Sequence, residues 1–190
     1  MQMDIVSRAQ NIARSPQSEW RVIADEPAAI TELYTGYVAI LAAIPLVAEL
    51  LHLLFSGAPV GVAIAIPFTG YVMSLINVAV VAVIASKLAS RFGGVDDLAQ
   101  GFKLAAYAST AAWLGGVFLL LPWVGWLLRL VCSLYSIYVF YIGIPELTRV
   151  PSERRVGYFV CVLVATMIVS WVIAMILVML TGQARLMPFR

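Results

Sequence analysis

Residues 87–107 read KLASRFGGVDDLAQGFKLAAY, and the punctuation of this stretch decides how the chain is divided. An apolar run from Val62 to Ala85 precedes it, and another from Leu104 to Leu121 follows. A helix arriving through Leu88 and Arg91 can stop at Gly93 or Gly94, because glycine takes the left-handed C-terminal conformation at little cost. Asp96 or Asp97 then offers a carboxylate to the free N–H groups of a new helix. Gln100, three residues after Asp97, completes a capping-box pattern. The stretch predicts a helix–turn–helix elbow at a membrane surface; a recognition loop open to the cytosol is the alternative.

Working outward, five apolar runs approach the roughly 20 residues that a membrane-spanning helix requires. They extend from Leu33 to Phe55, Val62 to Ala85, Leu104 to Leu121, Trp126 to Ile144 and Val156 to Leu180. Pro45 predicts a kink in the first, and Pro67 and Gly70 lie near the start of the second. Pro122, Trp123, Gly125 and Trp126 separate the third from the fourth as a tight interfacial turn. Composition agrees. The 190 residues are 63% hydrophobic and 12% charged, about half the charged share of a soluble domain, and mean hydropathy is +0.97. The expected fold class is all-α, a polytopic membrane bundle of five transmembrane helices with a short cytoplasmic N-terminal amphipathic segment. Residues 1–32 form that segment, 33–180 the five-span domain and 181–190 an external C-terminal tail.

The N-terminal segment predicts two short surface helices, with a frayed N-terminus as the alternative for the first. In the first, Ile5, Ala9, Ile12 and Ala13 share a face while Arg8 and Arg14 reach anionic headgroups. Pro16 ends it, and Ser18 caps a second helix that places Trp20 at the interface. The segment lacks the apolar core of a secretory signal. Basic residues set the orientation. Arg8, Arg14, Arg21, Lys87, Arg91, Lys103, Arg149, Arg154 and Arg155 fall on one side, against Arg129, Arg185 and Arg190 on the other. The positive-inside rule puts the N-terminus in the cytoplasm and the C-terminus outside.

Several chemistries find no motif. A net charge of +2 with no basic tract gives no argument for nucleic acid. Cys132 and Cys161 sit in apolar runs without CxxC spacing and read as buried packing residues. Glu49-Leu50-Leu51-His52 is half of a di-iron signature, but the sequence has one histidine, and a metal site needs more converging ligands. There is no G-x-S-x-G, P-loop or G-x-G-x-x-G, so the expectation is no enzyme, no cofactor and no metal. Two packing features stand out. Ala108, Ala112 and Gly116 repeat at small-xxx-small spacing in the third run, and Ser133, Tyr135, Ser136, Tyr138 and Tyr141 in the fourth seek interhelical partners. Glu49 and Arg129 fall at matching depths below the outer end, which predicts an intramembrane ion pair with His52 sharing the carboxylate. The alternative has Arg129 snorkelling to headgroups.

FGGVDDLAQGFKLAAYASTAAWL (92–114) and LYSIYVFYIGIPELTRVPSERRVGY (134–158) together resemble the Yip family of five-span membrane proteins, in its shorter bacterial form. EWRVIADEP (19–27) and ELYTGYV (32–38) are similar to that family's Trp-containing N-terminal stretch and its acidic-Leu-Tyr entry to the first span. Many members have a proline after the A-Y-x-x-T of the third span, where this chain has Ala111. The resemblance implies five helices, a cytoplasmic N-terminus and an external C-terminus, and for a short bacterial-type member the inner membrane. It singles out Trp20, Glu32, Tyr34, Gly93, Gly94, Asp96, Asp97, Tyr107, Tyr135, Gly143 and Pro145 as family-motif positions and candidates for interaction. Each also has a structural reading: glycines in turns, Pro145 at a helix end, tyrosines at the interface. Eukaryotic members bind Rab-type GTPases, but their long cytosolic N-terminal region has no counterpart here, so that partner is not carried over. The implied function is a non-enzymatic membrane scaffold that organises protein partners or lipids, compatible with a homo-oligomer. A small solute or ion transporter using Glu49, His52, Asn77 and Arg129 is the alternative.

Overall fold

The computed structural model describes residues 4–27 and 29–181; residues 182–190, nearly all of the predicted tail, lie outside the described residues. Two short helices, α1 (Ile5–Arg14) and α2 (Pro16–Asp25), precede five long ones: α3 (Ile30–Phe55), α4 (Val60–Arg91), α5 (Leu98–Leu120), α6 (Gly125–Leu147) and α7 (Ser152–Thr181). The described residues contain no strand. All five long helices are apolar and long enough to cross a membrane. They run alternately up and down, so the links at 92–97 and 148–151 share one end with α1 and α2. This is the basic end, which carries most of the basic residues.

The long helices outrun the apolar segments read from the sequence. At 32 residues, α4 is about 48 Å long, more than the bilayer core of about 30 Å, so its polar turns through Lys87 and Arg91 continue the helix beyond the apolar belt. Pro45 and Pro67 both lie inside helices, and residues Tyr34–Val38 of α3 form a widened π turn that the sequence did not announce. Pro145 does not end α6 as expected. The helix continues to Leu147, and Thr148 closes it with its hydroxyl and its N–H both donating to the Ile144 carbonyl, at 2.8 and 2.9 Å.

Contacts of small residues position α5. A Cβ on Gly116 would fall 2.6 Å from Cβ of Pro45, and one on Gly115 only 2.5 Å from Cβ of Cys132, so α5 wedges between α3 and α6 at backbone distance. The helix breaks at Ser109 and tightens into a 3-10 turn from Gly115 to Leu120, although no proline stands at position 111. The Ala112 N–H leads out of the helix instead, donating to Ser136 Oγ at 2.8 Å. The outer helix is α7. Its Tyr158 hydroxyl donates to the Ala85 carbonyl at 2.8 Å and its Ser170 hydroxyl to Asn77 at 2.5 Å, while its other face is exposed at Val156, Val160, Val164, Met167 and Trp171. Cys161 lies on that outward surface and Cys132 is half-buried, so neither is the core residue the apolar runs suggested. An apolar run marks a membrane helix, and in a membrane one face of the helix meets lipid.

Candidate functional site

At the basic end, α1 and α2 are amphipathic as expected, but each lays its buried face on the bundle and leaves the other exposed. Trp20 is fully buried, at 0% exposure, and its indole N–H donates to the Val139 carbonyl of α6 at 3.1 Å. Gly143, one turn further along α6, makes the seat: a Cβ there would fall 2.7 Å from both the Trp20 ring and Cδ1 of Leu104. Tyr107 packs edge-on to Trp20, with centroids 6.4 Å apart, and to Tyr37, at 4.8 Å. Tyr37 in turn shares a 2.7 Å hydrogen bond with Thr110. The expected interfacial Trp20 is thus corrected. On α6 no large apolar side chain is exposed beyond Tyr138, and α2 covers the face that would otherwise meet lipid.

Arg8 is corrected in the same way. Instead of reaching headgroups it is buried, with Nη1 on Glu19 at 2.6 Å and Nη2 on both oxygens of Glu26 at 2.5 and 2.6 Å. Its guanidinium carbon lies 5.7 Å from the centre of the Tyr107 ring, within cation–π range. Burial works against its charge, but the hydrogen bond and field of Glu26 outweigh it and hold Arg8 above its usual pKa. Lys103 is the buried cation of α5. Its ammonium donates to the Ile23 and Glu26 carbonyls at 2.8 and 2.5 Å, which satisfies groups left over at the C-terminal end of α2. Tyr135 donates to the Ala13 carbonyl at 2.9 Å. Ser18 lies inside α2, after Pro16, rather than capping it.

The elbow is built largely as its residues suggest, then tied down. Gly93 takes the left-handed conformation (φ 84°). Asp97 is the helix cap, accepting from Ala99 N and Gln100 N at 2.8 and 3.2 Å. The expected capping box is only half made, because the Gln100 side chain donates to the Ala24 carbonyl of α2 at 3.3 Å. Asp96 turns back to Ser86 and Lys87, at 2.6 and 2.8 Å, and hydrogen bonds from Lys87 and then Ser86 hold its carboxyl below the usual carboxylate pKa. Gly94 allows close approach. A Cβ there would clash with the Thr148 carbonyl oxygen and lie 2.7 Å from Val150, while Val95 N–H donates to that same carbonyl at 2.9 Å. The two links are therefore one unit, not a free loop. Between them, α2 and the end of α6 lies a groove of about 500 Å³, lined by Arg21, Asp25, Asp97, Glu146 and Arg149 among others. Arg149 is exposed there and held at φ 55°, the left-handed position after a helix end where glycine is favoured.

The second concavity, of about 400 Å³, lies toward the opposite end between α3, α4, α5 and α6. Glu49 and Arg129 both line it, as their matching depths require, yet among the described ion pairs none joins them. His52 is exposed. Trp113 closes one wall by donating to Ser74 at 2.8 Å. Among the described residues no three His, Cys, Asp or Glu side chains gather where they could hold a metal.

Of the positions picked from the sequence, Trp20, Tyr107 and Gly143 converge on the seat of α2, and Tyr135 holds the end of α1. Gly93, Gly94, Asp96 and Asp97 converge on the elbow. Tyr34 packs on Phe102 with ring centres 5.7 Å apart, and Glu32 is exposed at the start of α3. Sequence reasoning missed Glu19, Glu26, Tyr37 and Thr110. Lys103 was counted only as a topology charge, although a lysine adjoining an apolar run was the available signal.

A bundle of five membrane-length helices with an N-terminal helix pair locked into one end defines a small polytopic integral membrane protein. The chain belongs to the Yip1 domain family, whose profile matches residues 11–174. It is similar to the Inner membrane protein YohC of Escherichia coli strain K12, 26% identical over 93% of this chain and 97% of that protein. YohC of Escherichia coli O6:H1 gives the same figures. No solved structure matches.

Proposed function

We propose that the protein is a non-enzymatic scaffold of a bacterial inner membrane, whose basic end faces the cytoplasm and presents a preformed groove to a protein partner. The observation that carries this reading is Arg149. A non-glycine residue in the left-handed region costs about 1–2 kcal/mol, and here it holds an exposed guanidinium at the mouth of a groove that also carries Arg21, Asp25 and Glu146. Strain kept beside exposed charge favours a recognition role for the side chain. The surroundings are already ordered, since hydrogen bonds join α2, the elbow and the 148–151 link, so a partner would meet a rigid surface at small entropic cost. Membership of the Yip1 domain family and the inner-membrane relatives support the setting. The test is capture from cross-linked membranes with wild type and Arg149→Gly. The variant should be as stable as wild type or more so, and lose the captured partner. A partner retained by Arg149→Gly would refute the reading.

The transporter reading draws on the 400 Å³ cavity. Toward the basic end, however, lies the packed layer of Trp20, Tyr107 and Tyr37, in which Tyr107 meets both other rings edge-to-face and all three are buried. Solute flux in liposomes containing only this protein would favour transport over the scaffold.

A further inference from the structure

The cavity toward the opposite end holds two charges of opposite sign that face the same space and do not touch. Glu49 sits six residues from the end of α3 at Phe55 and Arg129 four residues from the start of α6 at Gly125, depths of about 9 and 6 Å. The Glu49 carboxylate lies against Gly70 of α4, where a Cβ would be 3.9 Å from Oε2, so α4 leaves room in front of it. Several neighbouring polar groups have partners elsewhere: Ser74 accepts from Trp113, Tyr71 donates to Ala39, Ser133 to Arg129's own carbonyl, and Asn77 Oδ1 accepts from Ser170. Among the described residues, the carboxylate and guanidinium have no ion-pair partner. Glu49 is half-buried and Arg129 exposed at the rim, and a charge at this depth is costly unless it finds a partner or reaches the headgroups.

We propose that this cavity binds a phosphoethanolamine group, with its primary ammonium on Glu49 and its phosphate on Arg129. The charge order fits a zwitterion and no simple ion, because either single charge would be attracted by one wall and repelled by the other. Arg is the side chain suited to phosphate, which it holds through two parallel N–H bonds, and a carboxylate accepts from an ammonium that carries protons. The volume of about 400 Å³ lies within the range of about 300–1,000 Å³ common to small-molecule sites. Arg129 is exposed on α6 beside the exposed apolar side chains of Trp126 and Leu130, so the mouth adjoins the apolar belt and a lipid could enter headgroup first. The same group could arrive free in solution.

The test uses the full chain purified in non-ionic detergent and delipidated, with thermal unfolding followed as three additions are titrated: dioleoylphosphatidylethanolamine, dioleoylphosphatidylglycerol and O-phosphoethanolamine. The ethanolamine lipid should raise Tm at lower concentration than the glycerol lipid. Its half-saturating concentration should rise about ten-fold or more in both Glu49→Gln and Arg129→Gln, as loss of one charge-assisted contact requires. Stabilisation by O-phosphoethanolamine as well assigns a soluble source, and stabilisation by the diacyl form alone assigns the lipid. If either glutamine variant fails to fold, Glu49→Asp and Arg129→Lys replace them and should weaken the preference in the same direction. No preference between the two lipids overturns the proposal, as does a preference that survives in both variants, which would mean annular lipid only. Strong Glu49–Arg129 coupling in a double-mutant cycle without ligand also overturns it, because the two would then pair directly.

Discussion

Gly143 shows how much one missing methyl can decide. The α6 backbone approaches Trp20 so closely that any side chain at this position meets an indole with nowhere to go, since the ring is fully buried and its N–H is held by Val139. Alanine would gain about 1 kcal/mol of helix propensity over glycine, but overpacking a filled core costs about 1–3 kcal/mol, and the clash with a pinned ring puts this case at the costly end. Gly143→Ala should therefore lower the Tm of the detergent-purified protein. In a Trp20→Ala background the indole is gone and the end of the Leu104 side chain, 2.7 Å from the added Cβ, can turn into the space it leaves, so the same change should be neutral or stabilising. Additive losses in that double-mutant cycle would show that Trp20 is not what the glycine accommodates.

Among elements, α1 and α2 carry the most consequence. Their sequences have the apolar stripe and basic flank of an interfacial helix, yet Arg8, Glu19, Trp20 and Ile23 are all buried. The reason lies on α5 and α6. Lys103 receives the end of α2, Tyr135 the end of α1, and Val139 and Gly143 the indole. A helix resting on lipid would open as often as its own hydrogen bonds fray, whereas a docked pair opens only with the bundle's basic end. Hydrogen exchange of residues 5–25 should thus be nearly as slow as that of residues 98–108, and complete exchange within seconds would contradict the docked arrangement.

For the whole molecule, the distribution of charge predicts that the basic end stays on the side of synthesis. A reporter active only outside the cytoplasm should be silent when fused after Arg91 and active when fused after Arg190; the reverse pattern would invert or recount the spans. Much of this architecture was legible in the chain itself. Apolar runs of membrane length fixed the number of long helices, Gly93 and Asp97 fixed the elbow, and Pro122 to Trp126 the opposite turn, because each depends on residues adjacent in sequence. Pro145 misled, since one proline near the end of a helix removes a single hydrogen bond that the last turn can forgo. What only the tertiary structure decided is which apolar faces meet protein and which meet lipid. An amphipathic stripe is equally served by either, as lipid tails are as apolar as leucine. The choice at Trp20 was made by a carbonyl 119 residues away, and that at Arg8 by two carboxylates on the next helix and the turn after it. Likewise Glu49 and Arg129 could be placed at one depth from helix rise alone, but that they share a cavity without touching depends on the packing of four helices around them.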